Sequence, residues 1–380
     1  MQKIKEITLF TNGDSKKLST WSNVPYFFSE TLIAKGIKVN RVDLNPEPRL
    51  EKIWKKTMGR FVNRLTRLTS YDYFRSLVHY KNVKQRIKKA IICYPNADVN
   101  IFMTFSFSSA GMTKKPTVLF CDWTYDHHFK YHVEGKPGFL ERLCLNRENA
   151  EIEAADLVIP LFPGISEYMK SVYKNKNIFY LGNVINSNYD VSETEALNAK
   201  KNSLDLLFVG SNRYMEGAMA LVKAFENLKD EYKFLKLHII GIEKTEFKFL
   251  PDDVFCYGYL DKANEANRTV YYDLFRKAKM FINTTPKWGA FSAAIEAMYF
   301  YVPIIVTPYE EFVKTFGKNI DFGVYCEQNL PAMIETNIKS ILNNPNYNSL
   351  CLNAHNSVKE YTWSSYIDKV VRLIEGFNRT

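Results

Sequence analysis

The chain has 380 residues, 46% hydrophobic and 24% charged, a globular composition that excludes a disordered or fibrous protein and exceeds what one hydrophobic core usually serves. Two domains are therefore expected. The net charge of +10 gathers in the first half: residues 1–182 carry 29 Lys+Arg against 17 Asp+Glu, and the remainder 22 against 24. An anionic partner is thus expected for the first half alone.

No long apolar region follows the opening MQKIKEITLF, and no window reaches 18 apolar residues, so neither a signal peptide nor a membrane span is expected. Cys93, Cys121, Cys144, Cys256, Cys326 and Cys351 show no CxxC pairing. They read as buried thiols of a reducing compartment, which predicts a cytoplasmic protein.

The first strand, ITLFT (7–11), leads through the polar loop TNGDSKKLSTWSNVP (11–25) to a helix that Pro25 opens. Trp21 and Ser22 would overhang the strand end and are candidate acceptor contacts; the other reading is a mobile surface loop. After VNRVDL (39–44) comes the basic stretch 50–89. With Arg49 it holds thirteen cations against Glu51 and Asp72, and Leu50, Ile53, Trp54, Phe61, Leu65 and Leu68 follow helical spacing between them. Such a segment suits an anionic membrane surface, and equally a domain helix with a solvated basic side. No nucleic-acid module accompanies the charge, so no nucleic acid is expected as partner.

Strands VNIFMTF (99–105) and TVLFC (117–121) precede CDWTYDHHFKYHVEG (121–135). Asp122, Asp126 and His127 there fall at the carboxyl edge of a parallel sheet, where they suit acceptor binding or proton transfer, a structural polar loop being the alternative. His128 and His132 have a metal-like spacing, but no third ligand stands at a sensible distance, so no metal is expected. Strands LVIPLF (157–162) and NIFYLG (177–182) follow, then the polar segment 183–203, which reads as a linker.

The second half repeats the pattern with LDLLFVG (204–210), KLHIIG (236–241), VFCYGY (254–259), MFINTT (280–285) and PIIVT (303–307). Strands alternating with amphipathic helices predict two doubly wound α/β domains, Rossmann-like and facing a cleft. In LLFVGSNRYMEGAMALVKAFENL (206–228) a strand ends at Gly210 and Ser211, and its loop feeds a helix whose N–H groups favour a phosphate. Arg213 is the only cation in that loop; an ordinary β/α turn is the competing reading. In TTPKWGAFSAAIEAMYFYVPIIVTPYEEF (284–312) small residues surround a lone acid, Glu296, which suits vicinal hydroxyls of a sugar unless it simply faces solvent.

These second-half segments resemble the donor domain of GT-B glycosyltransferases, and most closely the large retaining family with an EGFGL…EAM…G.PVV motif. KWGAFSAAIEAMYFYVPIIV aligns with that motif without a gap, and YYDLFRKAKMFINTTP is similar to the segment just upstream of it. In the first half, STWSNVPYFFSETLIAKGIKV (19–39) and EAADLVIPLFPGISEYMKSVY (153–173) resemble the acceptor domain of the same family.

The resemblance implies a retaining glycosyltransferase with no bound metal or cofactor, only a nucleotide-sugar co-substrate. It implies an acceptor-binding domain over 1–182, a nucleotide-sugar domain over 183–360, and a C-terminal helix within 361–380 that packs back on the first domain. The donor would meet Gly210, Ser211, Arg213, Trp288, Gly289, Ala290, Phe291, Ser292 and Glu296, the last holding the ribose. The acceptor, a glycan or lipid-linked glycan of a bacterial surface polysaccharide, would meet Trp21, Ser22 and Asp126, with Asp122 or His127 beside its hydroxyl. Peripheral association with the inner membrane face would follow from 50–89. Three positions depart from the motif: Trp288 replaces the first glutamate, and Ser211 and Glu216 replace the Arg and Lys that grip the diphosphate. They imply an altered donor or, alternatively, a degenerate homologue that supports an active enzyme.

Overall fold

The computed structural model describes residues 3–65, 71–133, 136–187, 189–286 and 291–377. The chain divides into two compact units, Met1–Asn183 with Trp363–Thr380, and Val184–Thr362.

In the first unit the strands β1 (Glu6–Thr11), β2 (Lys38–Asp43), β3 (Val99–Phe102), β4 (Thr117–Cys121) and β5 (Leu157–Pro160) form one sheet in the order β2-β1-β3-β4-β5, every pairing parallel. Parallel strands are covered on both faces and so read as continuous apolar runs; β3 and β5 are buried at every residue. The helices of this unit are α1 (Val24–Ala34), α2 (Pro48–Lys56), α3 (Met58–Leu65), α4 (Leu77–Cys93), α5 (Tyr125–His132), α6 (Phe139–Ala154) and α7 (Pro163–Val172). Their starts are legible locally. Proline occupies the first turn of α1, α2 and α7, and the hydroxyls of Ser76 and Thr124 accept from the N–H groups of His79 and His127 to cap α4 and α5.

The second unit contains α8 (Glu193–Lys200), β6 (Asp205–Val209), α9 (Met215–Leu228), β7 (Lys236–Ile240), β8 (Val254–Cys256), α10 (Glu265–Lys277), β9 (Met280–Asn283), α11 (Phe291–Tyr299), β10 (Ile304–Val306), α12 (Glu310–Phe316), β11 (Gly323–Tyr325), α13 (Pro331–Leu342) and α14 (Tyr347–Val358). Its sheet runs β11-β10-β9-β6-β7-β8, again all parallel. The final helix, α15 (Trp363–Gly376), belongs to the first unit and packs on α1: Trp363 stacks on Phe27 at 6.3 Å, and Lys35 pairs with Asp368 at 2.7 Å.

Several expectations need correction. Residues 177–182 do not form a strand; only Ile178 makes an isolated bridge, to Val158, and the segment finds no further partner along the sheet edge. The polar segment 183–203 is more than a linker, since it carries α8, capped by Ser192, and the fully buried Lys200, whose ammonium donates to the carbonyl of Arg276. Strand β11 escapes the sequence pattern because it is three half-exposed residues long, and a glycine opens it. A Cβ at Gly323 would lie 2.1 Å from the carbonyl oxygen of Ile304, so only glycine permits that approach. The basic stretch 50–89 divides into α2, α3 and most of α4 rather than one helix. Ile53 and Phe61, expected on its inner face, are each 59% exposed, while Leu68 falls outside the described residues.

His79 on α4 is buried against Tyr73, Phe74 and Phe107, and its Nε2 has no partner among the described residues. Burial pulls its pKa down from 6.5 to about 4. The unfolded ring therefore takes up a proton before the folded one, so the contribution of the neutral ring is full above pH 6.5 and is lost as pH falls toward about 4. The whole effect is about 3 kcal/mol. A His79→Phe variant should lose that much less stability than the parent between about pH 7 and pH 4, as measured by urea unfolding; equal losses would refute this account.

Candidate functional site

In the second sheet the strand order reverses between β6 and β9, and a crevice at the carboxyl ends of such strands is where open α/β sheets bind ligands. The two strand ends are tied together. Asn283 donates from Nδ2 to the carbonyl of Val209 at 3.1 Å, and the Thr285 hydroxyl donates to the carbonyl of Tyr214 at 3.3 Å. Asn283, Thr284 and Thr285 are all buried, and Thr284 reaches Asn329 at 2.7 Å, whose amide donates to the carbonyl of Glu216 at 3.2 Å. A side chain at Gly217 would meet Thr285 Oγ1 at 2.3 Å, so this glycine lets α9 lie directly on the β9 loop. Gly210 closes β6; Ser211, Arg213 and Glu216 are exposed around the start of α9. That loop thus offers one guanidinium and the first N–H groups of a helix.

Trp288, Gly289 and Ala290 lie outside the described residues. Phe291 opens α11 but its ring is buried against Tyr309, Phe312 and Phe316, so its side chain belongs to the core; Ser292 is exposed.

Glu296, on the same helix, is 4% exposed and does not face open solvent. The Lys262 ammonium bonds both of its carboxylate oxygens, at 2.7 Å to Oε1 and 3.0 Å to Oε2, and the Tyr271 hydroxyl donates to Oε2 at 2.9 Å. Lys262 also donates to the carbonyl of Asn186 at 3.2 Å and sits over the Tyr271 ring, 4.1 Å from its centroid. Burial first, then the neighbouring carboxylate, raises the Tyr271 pKa well above its usual value, which keeps this phenol a donor. Sequence reasoning missed Lys262 and Tyr271. Lys262 stands in DKAN, an ordinary turn signal, 34 residues from its partner, and nothing local to it announces the pairing.

In the first unit, Trp21, Ser22 and Asn23 all take left-handed backbone conformations, with φ of 36°, 51° and 73°. Three consecutive non-glycine residues there store strain of the kind found at binding loops. The Trp21 ring lies edge-on to Phe120 at 6.0 Å, close enough to Asp122 for its side chain to favour the ionised carboxyl, so the structure brings these two candidates together. Burial raises the pKa of Asp122, against hydrogen bonds from Cys121 and the Trp123 N–H and the nearby Trp21 side chain. His127 is packed among the rings of Trp123, Tyr131 and Tyr168, and the Tyr168 hydroxyl donates to Asp126. Helix α5, which carries Asp126 and His127, is held at its start by Glu148, which accepts from the Tyr125 N–H at 2.5 Å and from Ser106 at 2.6 Å. Among the described residues no group of three or more His, Cys, Asp or Glu side chains is arranged to hold a metal ion.

Residues 192–361 match the family model of glycosyl transferases group 1. No protein of curated function matches the chain in sequence. Among solved structures, the chain is similar to sucrose-phosphate synthase from Thermosynechococcus elongatus, at 16% identity over 98% of each chain and a TM-score of 0.67. It is similar also to WaaG, a glycosyltransferase involved in lipopolysaccharide biosynthesis, at 14% identity over 98% of this chain and 100% of that one, with a TM-score of 0.64. Anabaena Alr3699/HepE, in complex with UDP and glucose, aligns at 12% identity over 98% and 100%, with a TM-score of 0.62. At these identities the likeness is one of fold: two parallel-sheet α/β domains of the GT-B class.

The Lys262–Glu296 pair is buried on both sides, at 14% and 6% side-chain exposure. Removing one partner of such a pair strands the other charge and costs about 3–5 kcal/mol, whereas replacing both with apolar groups costs far less. Glu296→Leu and Lys262→Met should each lower unfolding stability by that amount, and the double variant should be more stable than either single one. Additive losses in denaturant titrations would contradict the pairing.

Proposed function

Taking residues 192–361 as a group 1 glycosyltransferase domain in a glycosyltransferase of GT-B fold, we propose that the chain moves a sugar from a nucleotide donor at the carboxyl ends of β6 and β9 to a glycan or lipid-linked acceptor held by the first unit. The observation that carries this reading is that one family match spans the whole candidate donor site, from Gly210 through Lys262 to Glu296. Within it, Glu296 takes the ribose, and the backbone around Gly210 and Ser292 with Arg213 takes phosphate and sugar. On the acceptor side, the strained Trp21–Ser22 loop and Asp126 hold the acceptor, and Asp122 or His127 stands at its hydroxyl. A carboxyl whose proton affinity is raised by burial, as at Asp122, is better suited to accepting a proton near neutral pH. The reaction retains anomeric configuration, and a bacterial surface glycan is the product class. WaaG, named for lipopolysaccharide biosynthesis, supports that class, and the UDP complex of Alr3699/HepE supports a nucleotide-sugar donor.

A second reading is a homologue that has lost turnover and supports an active partner. The acid at Glu216, where the family has a cation, and the three acceptor positions of Glu296 already taken by Lys262 and Tyr271 favour it. Donor hydrolysis or transfer by the purified chain alone removes this alternative.

Apolar side chains beside cations support a membrane-facing role for α2 and α3. Ile53, Met58 and Phe61 are exposed next to Lys52, Lys55, Lys56 and Arg60. Trp54, Phe61, Leu77, Val78 and Phe139 line an apolar cavity of about 560 Å³ in the same region. No helix among the described residues is long and apolar enough to cross a membrane, so this contact would be peripheral.

Two measurements test the proposal. In a thermal-shift panel of ribonucleoside diphosphates and their sugar esters, one base should stabilise the protein. The gain is about 2.7 kcal/mol at a hundredfold excess over Kd, or a few degrees in Tm. Glu296→Gln, which leaves Lys262 a hydrogen-bond acceptor, should cut that shift to about half or less; silence across the panel would overturn the donor site. Vesicles with about a quarter anionic phosphatidylglycerol should sediment the protein in a salt-sensitive manner. An Ile53→Asp, Phe61→Asp variant should stay in the supernatant, and binding unaffected by these substitutions would exclude α2 and α3 as the membrane face.

A further inference from the structure

Two carboxylates of this chain are clamped by a lysine in the same way, and they differ in one respect. In the first unit, the Lys84 ammonium bonds Glu151 at 2.8 Å and 3.0 Å and donates also to the carbonyl of Ser108 at 2.9 Å. The hydroxyls of Tyr80 and Ser108 donate to the two remaining positions of that carboxylate. A carboxylate offers about four lone-pair positions, so Glu151 is saturated: two go to Lys84, one to Tyr80 and one to Ser108. Glu296 has the same clamp from Lys262, with Asn186 supplying the carbonyl, but only one hydroxyl, that of Tyr271. Tyr271 and one Lys262 contact fall on Oε2, so among the described residues one acceptor position is left, on Oε1.

From this count we infer that Lys262 sets which nucleotide hydroxyls the protein reads. The clamp leaves Glu296 room for one ribose hydroxyl and not for a vicinal pair. The inference rests on the reading of Glu296 as a ribose contact given above. Lys262 is a positioning residue here. Its three N–H groups are taken by Oε1, Oε2 and the Asn186 carbonyl, and its backbone carbonyl is held by Arg268 Nη1 at 3.1 Å, so both ends of the residue are fixed. The carboxylate is thereby held in one rotation, with its free position on one side only. A nucleotide gripped through two hydroxyls would have to displace either the Tyr271 hydroxyl, leaving a buried phenol unpaired, or one contact of the buried ammonium, and either loss offsets the single hydrogen bond gained.

The test is calorimetric titration of UDP, GDP, ADP and CDP, followed by the 2′-deoxy and 3′-deoxy forms of whichever base binds. For the parent protein, one deoxy form should bind within about twofold of the ribonucleotide, and the other should be weaker by about tenfold or more, the loss of one hydrogen bond to a charged group. Tyr271→Phe frees a second position on Glu296 without uncovering a charge. In that variant the deoxy form tolerated by the parent should also become weaker than its ribonucleotide. Lys262→Met should produce the same second sensitivity, and Lys262→Arg, which keeps a cation over the carboxylate, should restore the single-hydroxyl pattern. Equal losses for both deoxy forms in the parent protein, or a pattern unmoved by both Tyr271→Phe and Lys262→Met, would overturn the inference while leaving the donor site standing. Absence of binding by all four ribonucleotides would overturn the donor site itself and this inference with it.

Discussion

Parallel strands have to be covered on both faces, and this constraint governs both halves of the chain. With residues such as Leu206, Phe208, Leu237 and Ile282 wholly buried, the strands leave little room for polar chemistry along their length. Each must also be followed by a crossover, most often a helix, that returns across the sheet, so loops that begin at carboxyl ends collect along one edge. In the second unit that edge is crowded. A Cβ at Gly241 would lie 2.6 Å from the carbonyl oxygen of Gly210, and one at Gly217 would collide with Thr285. The glycines are therefore part of how the loops after β6, β7 and β9 are brought to a single place, and Asn283 and Thr285 supply the hydrogen bonds that an apolar strand cannot.

Charges near such an edge are costly unless something balances them, and the chain balances its buried carboxylates from within. Glu151 is answered by Lys84, Glu296 by Lys262, and Glu148 by a backbone N–H and the Ser106 hydroxyl, with the Arg75 charge nearby. These partners decide what each acid can do. Glu148 helps to start α5 and so bears on Asp126 and His127 by fixing the helix that carries them. Glu151 has all its positions filled and is a pillar of the fold, whereas Glu296 is occupied incompletely and can still accept a ligand's hydrogen bond.

How much of this was legible in the sequence depends on the range over which the physics acts. The apolar runs of β1, β4, β6, β7 and β9 and the prolines opening α1, α2 and α7 declare themselves within a few residues, and the two-sheet α/β architecture follows from their alternation. Elements held by distant partners do not. β11 exists because Gly323 can approach Ile304, and residues 177–182 fail as a strand for want of a partner beyond Val158. The helix α8 hides in a polar segment because what anchors it, the buried ammonium of Lys200 on the carbonyl of Arg276, is 76 residues away. At the candidate site the same division holds. Glu296 stands out as a lone acid among small residues, whereas its partners Lys262 and Tyr271 look like a turn lysine and a helix-core tyrosine. The left-handed run at Trp21 to Asn23 has no sequence mark either, since none of those residues is a glycine.

The clamp on Glu296 also bears on how an anionic donor would be tolerated. An ammonium that has committed its three N–H groups to Glu296 and to the carbonyl of Asn186 has none left for a phosphate. Lys262 therefore neutralises the acid without gripping a diphosphate. Glu216 adds negative charge in the first turn of α9, where it favours the helix but opposes a bound anion. The positive side of the balance then falls to the exposed guanidinium of Arg213 and to backbone N–H groups at the start of α9. Such a site has little cationic charge in hand. As the proposed donor site it would rely on hydrogen bonds to backbone and ribose more than on ion pairing, and its affinity should accordingly depend weakly on salt.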